Sequence, residues 1–111
     1  MTDNIATAVT ALTADLVRID SRSFVSNLPV AERVAAALAG FEVETLDYLD
    51  PAGIAKRVFV ANKGGNGGLA LSGHMDTVPD TGWQTDPWSA RIDDAGFMHG
   101  LGTTEDRKSV V

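Results

Sequence analysis

The sequence predicts an α/β fold, a mixed sheet with flanking helices, and three observations predict it. Apolar residues recur at helical spacing in the first third of the chain. Short β-prone runs separated by Gly- and Pro-containing segments follow. One of those runs, "LALSG", is nearly all apolar, as a strand covered on both faces would be.

The first helix is expected over residues 4–19, where Ile5, Val9, Leu12, Leu16 and Ile19 line one face toward a core. Thr2 or Asp3 can accept hydrogen bonds from the N–H groups at its start. "DSRSFVSN" reads as a polar connection. A second helix opens with Ser26 or Asn27 as cap and Pro29 in its first turn, carries Val30, Val34 and Leu38 on one side, and stops at Gly40. Phe41, Val43 and Thr45 then alternate with Glu42, Glu44 and Leu46, as in a half-buried strand. "RVFVAN" and "GLALSG" read as strands joined by "KGGNGG", whose glycines suit a tight connection. That loop lacks the spacing and the Lys–Ser/Thr ending of a phosphate cradle, so no nucleotide role is assigned to it. "TGWQTDPWSA" reads as an irregular loop, and "ARIDDAGFMHG" as a hairpin turning at Asp94–Ala95–Gly96.

Composition narrows the function. A chain of 111 residues suits one modest domain. A formal charge of −6 argues against holding nucleic acid by neutralising phosphates. Without cysteine there is neither a disulfide framework nor a thiolate metal site. "MTDNIATAV" lacks the basic and apolar regions of a signal peptide, and no run is long enough to span a bilayer. The expectation is a soluble cytoplasmic protein with no nucleic-acid or membrane partner.

The chemistry concentrates in "LSGHMDTVPD". His74 and Asp76, two positions apart at the expected C-terminal end of a strand, can point to the same side. Open α/β sheets bind ligands at that edge. A neutral imidazole is a good zinc or cobalt ligand, and a carboxylate on its other N–H fixes the tautomer. Taken alone, the pair reads as a structural hydrogen-bonded tie before it reads as a metal site.

The surroundings alter that balance. Gly73 to Pro79, then Trp83 to Trp88, then Met98-His99-Gly100-Leu101-Gly102, with "LVRIDSRS" upstream, occur in one order. Together they resemble the N-terminal catalytic region of the metal-dependent amidohydrolases and exopeptidases. That family includes acetylornithine deacetylase, succinyl-diaminopimelate desuccinylase, aminoacylase and glutamate carboxypeptidase, and the acetylornithine deacetylase branch is nearest in look. The resemblance implies the N-terminal part of a zinc-peptidase-like catalytic domain over residues 1–105. It also implies a two-metal Zn2+ or Co2+ site, an N-acyl amino acid as small-molecule substrate, and an intact parent that is a homodimer. His74 would then bind a metal and Asp76 would serve catalysis by orienting it. Two metals would polarise the amide carbonyl and lower the pKa of a bridging water. His99 reads as structural, and Trp83 and Trp88 as loop anchors.

The end of the chain departs from the family pattern. After Gly-x-Gly-Thr-x that pattern has a bridging aspartate, then x-Lys-Gly or x-Lys-Ser; this sequence reads "GLGTTEDRKSVV". Without a gap Glu105 takes the metal-bridging place. With one inserted residue Asp106 takes it, followed by Arg107, Lys108 and Ser109. A third reading makes residues 106–111 a non-native tail. "DRKSVV" and a stop are what GATCGGAAGAGCGTCGTGTAG encodes, a widely used sequencing adapter, and its preceding A would turn an aspartate codon at position 105 into one for glutamate. The chain is therefore expected to be a truncated, inactive fragment, with "LALSG" left uncovered. The rival from another class is a small non-catalytic α/β binding module in which His74 and Asp76 only tie down a loop.

Overall fold

The computed structural model describes residues 2–103, and for Thr2 and Asp3 the backbone alone. The expected side-chain cap at Thr2 or Asp3 and the expected bridging acid, Glu105 or Asp106, lie outside what is described. Six elements follow in order: α1 (Thr2–Val17), α2 (Leu28–Ala36), β1 (Glu42–Leu49), β2 (Ala55–Asn62), β3 (Arg91–Ile92) and β4 (Met98–His99). The α/β class holds, but the mixed sheet does not form among the described residues. β1 and β2 make one antiparallel pair, with Glu42 opposite Asn62 and Leu49 opposite Ala55, and β3 and β4 make another. Parallel pairing is reduced to a single bridge between Arg22 and Thr77.

The hydrophobic stripe of α1 is only half used. Its buried residues are Ala14 and Val17, which pack with Ala90 and the partly buried Met98. Ile5 and Val9, expected to face a core, are 66% and 59% exposed. The small core sits at the helix's C-terminal end, away from its first turns. Arg33 of α2 donates to the Asp15 carboxylate from both Nε and Nη2, at 3.2 and 2.9 Å, and ties the helices together.

α2 begins where Pro29 predicts, with buried Val30 and Ala31 facing inward. Its N-cap residue Asn27 makes no side-chain cap. The amide instead pairs with the backbone of Arg57 in β2, donating to its carbonyl at 2.9 Å and accepting from its N–H at 2.7 Å. Ser26 Oγ accepts the Leu28 N–H and donates to the Ala55 carbonyl. The two expected cap residues therefore form the joint between α2 and β2.

The β1–β2 connection is an Asx-type turn. Asp50 Oδ1 accepts from the N–H groups of Ala52 and Ile54, both at 2.9 Å, and Gly53 takes the left-handed φ of +82° that the reversal needs. The expected third strand is absent. Residues 69–73 run without strand pairing, and Leu69 and Leu71 are 87% and 89% exposed. An extended segment becomes a strand only when a neighbour takes its N–H and C=O groups, and none of the described strands pairs with it. "KGGNGG" consequently leads out of β2 without joining two strands. The β3–β4 hairpin forms as expected, with Ile92 opposite Met98 and Gly96 at φ +90°.

Candidate active site

His74 and Asp76 follow an unpaired segment, not the strand end the sequence suggested. Their position is fixed by the loop after α1. Thr77 N–H donates to the Ser21 carbonyl at 2.9 Å, and Ser23 N–H donates to the Thr77 carbonyl at 2.9 Å. This short parallel clasp holds residues 74–77 against the α1–α2 connection.

The clasp has its own anchor. Arg22 Nε and Nη2 donate to the two Asp20 oxygens at 2.8 and 2.6 Å, and Nη1 donates to Asp80 at 3.0 Å. Its guanidinium lies 4.8 Å from the Phe24 ring centroid and 5.0 Å from that of Trp88. Hydrogen bonding from Arg22 holds the Asp20 carboxyl below its ordinary value, and the Asp20 partner pushes the Arg22 guanidinium further up. Trp88 thus acts as the loop anchor expected of it, whereas Trp83 is 37% exposed.

His74 Nδ1 lies 3.0 Å from Asp76 Oδ1 and 2.9 Å from the Asp76 carbonyl oxygen. Both oxygens are acceptors, so Nδ1 carries a proton in this arrangement. Asp76 in turn accepts from Ser23 Oγ at 2.7 Å through Oδ2. Burial pushes the Asp76 carboxyl up, but the hydrogen bonds from Ser23 and His74 outweigh it and hold the group below its ordinary 3.8.

Two cavities meet at this pair. A cleft of about 690 Å³ opens between α2, β2 and residues 71–76, with Asn27, Lys56 and Phe59 among its walls. A second, of about 300 Å³, is bounded by α1, α2 and residues 101–103. Leu101 to Thr103, which lead toward position 105, therefore share a cavity with His74 and Asp76. Sequence reasoning did not single out Ser23, Lys56 or Arg22; no spacing rule reaches contacts made across 53 or 33 residues.

The donor set fits one imidazole ligand position and its brace. Among the described residues no group of three or more His, Cys, Asp and Glu side chains comes together to hold a metal. A complete centre is not formed by these residues, and no bond-breaking step is assigned to them. His99 takes no part in the pair: its Nε2 lies 2.7 Å from Asp93 Oδ2, on the β3–β4 hairpin.

Residues 70–111 match the family model described as peptidase family M20/M25/M40. Acetylornithine deacetylase of Myxococcus xanthus is 43% identical over 83 residues, covering 68% of this chain and 22% of its own length. Succinyl-diaminopimelate desuccinylase of Stutzerimonas stutzeri (strain A1501) is 37% identical over 86 residues, 73% of this chain and 20% of its own length. Beta-Ala-Xaa dipeptidase of Lactobacillus delbrueckii subsp. lactis is 32% identical over 100 residues, 84% of this chain and 21% of its own length. The chain spans about a fifth of the length of these curated relatives. No solved structure gives a significant match.

Proposed function

The chain is a relative of the peptidase family M20/M25/M40 hydrolases over residues 70–111, and from that premise we propose that it is the N-terminal part of a metal-dependent amidohydrolase. The observation that carries the reading is the His74–Asp76 pair, joined at 3.0 Å inside the matched segment. Asp76 holds the Nδ1 side of the ring, so in the neutral imidazole Nε2 would be the atom that binds Zn2+ or Co2+. The chemistry gained with such ions is polarisation of an amide carbonyl. Likeness to the Myxococcus deacetylase favours an N-acyl amino acid as substrate and a place in arginine biosynthesis. The desuccinylase likeness, over a slightly larger share of the chain, supports a succinylated diamino acid as the second reading. A cytoplasmic homodimer is the form we assign to the intact enzyme. No helix among the described residues is long and apolar enough to cross a membrane.

Residues 1–105 form the hydrolase portion in this reading, and residues 106–111 a non-native tail. The tail rests on its codon string alone, since the family match runs on to Val111. The 111-residue chain alone, offering one imidazole ligand, is expected to turn nothing over.

The test is the source gene. Resequencing should show an open frame beyond Thr104 that reads Asp-x-Lys; a true stop after Val111 refutes the tail. The product of that frame, loaded with zinc or cobalt, should hydrolyse acetylornithine or succinyl-diaminopimelate. His74→Ala should lower kcat/KM by about a thousandfold or more, on the scale of several kcal/mol that metal activation contributes. Equal activity in that variant would remove His74 as a metal ligand, and no turnover by the intact, metal-loaded product would leave the non-catalytic binding module.

A further inference from the structure

The brace on His74 does not end at Asp76. Ser23 Oγ lies 2.7 Å from Asp76 Oδ2 and 3.0 Å from the Thr77 carbonyl oxygen. A hydroxyl has one proton to donate, and both neighbours are acceptors. The Thr77 oxygen already receives the Ser23 N–H at 2.9 Å, and a charged carboxylate is the stronger acceptor. The proton therefore belongs to Asp76.

Ser23 is itself held. Lys56, on β2 and only 8% exposed, donates from Nζ to the carbonyl oxygens of Ser23 and Val25 at 2.8 and 2.7 Å. A buried ammonium is tolerated only where its hydrogen bonds are satisfied, so this one is a costly device for pinning a loop backbone. It pins the loop at the residue whose side chain reaches Asp76. Ser23, Lys56, His74 and Asp76 all line the same cleft.

We propose that Ser23 is the positioning residue for Asp76, its hydroxyl fixing the carboxylate that fixes the His74 imidazole, with Lys56 tethering Ser23 from β2. The role of this relay rests on the reading of His74 as a metal ligand, but its geometry does not. In this role Ser23 acts through Asp76. Without the hydroxyl, Oδ2 loses its Ser23 donor, and the carboxylate is released to other staggered rotamers.

The test compares Ser23→Thr with Ser23→Val in the isotopically labelled 111-residue chain. The two replacements have the same shape and differ in the hydroxyl, so any packing defect is common to both. The primary readout is the Asp76 χ1 population from its Hα–Hβ couplings. One rotamer should dominate in the parent and in Ser23→Thr. In Ser23→Val its ratio to the others should fall roughly three- to tenfold, the worth of one hydrogen bond. Equal populations in Ser23→Thr and Ser23→Val overturn the proposal, whether both resemble the parent or both are averaged. The second readout is the His74 tautomer, from ring 15N shifts at alkaline pH where both imidazoles are neutral. An Nδ1–H ring in the parent supports the metal-ligand reading. An Nε2–H ring sinks that reading while the rotamer comparison still decides the role of Ser23.

Discussion

At the scale of single residues, Gly100 shows how the core constrains the chain beside the site. It sits between α1 and the 86–88 loop, and a Cβ built on it would overlap Val17 Cγ1 and stand 3.3 Å from the Pro87 carbonyl oxygen. The position needs glycine for space, not for an unusual backbone angle. Gly100→Ala is therefore expected to destabilise the chain by about 1–3 kcal/mol, the range for overpacking. The obstacle is one side chain, which makes the claim specific. In Gly100→Ala/Val17→Ala the two changes should cost less together than the sum of the singles, with a coupling above about 0.5 kcal/mol in urea unfolding. Strict additivity would mean that the Pro87 backbone, not Val17, sets the limit. Residue-scale chemistry was also the most legible part of the site. His74 and Asp76 stand two positions apart, so their pairing could be read directly from the sequence. Ser23 reaches Asp76 across 53 residues, from a segment that reads as a polar connection, and Lys56, just before the expected strand, reaches Ser23 across 33.

At the scale of elements, legibility follows how local the deciding interaction is. The β3–β4 hairpin was readable because one short segment carries all of its determinants. Asp93 Oδ1 accepts the Ala95 and Phe97 N–H groups at 3.0 Å, Gly96 supplies the left-handed turn, and His99 closes on Asp93 Oδ2. The turn at Asp50–Gly53 is equally local and was overlooked, although Asp-Pro-x-Gly is a strong reversal signal. "LALSG" was misread for the opposite reason, since its strand character depends on partners that no local pattern supplies. The Asp93 network also makes a testable acid response. The hydrogen bond with His99, then those from Phe97 and Ala95, hold the Asp93 carboxyl below its ordinary 3.8. A depressed folded-state value means the unfolded chain binds the proton more readily. The stabilisation is thus present above about pH 4 and is lost as pH falls through the folded value. Amide exchange at Ala95 and Phe97, corrected for intrinsic rates, should lose protection through that acid window. Asp93→Asn should flatten the response, and a pH-independent parent hairpin would show that the carboxylate contributes nothing to it.

At the scale of the whole molecule, the described chain holds more apolar surface than it can bury. Its radius of gyration is 15.4 Å, against about 13 Å for a compact domain of this length. Along β1 every residue is exposed, and Val58 and Val60 on β2 join Leu69 and Leu71 outside the core. The buried apolar set is small: Ala14, Val17, Val30, Ala31, Ala90 and Leu101, none of them larger than leucine. A domain with so little interior has few of the contacts that normally offset chain entropy. The arrangement is coherent if the sheet face that carries Val58 and Val60 and the 69–71 segment are surfaces built to be covered, which is also what the hydrolase reading requires of them. The uncovered state has a direct signature. Under folding conditions the 111-residue chain should bind the apolar dye ANS and associate as its concentration rises. Leu69→Lys/Leu71→Lys should weaken both effects without reducing helix content, because neither leucine supports the packing of α1 or α2. Dye binding that is absent in the parent chain, or unchanged in that double variant, would place its apolar liability elsewhere and remove the 69–71 segment as an uncovered strand.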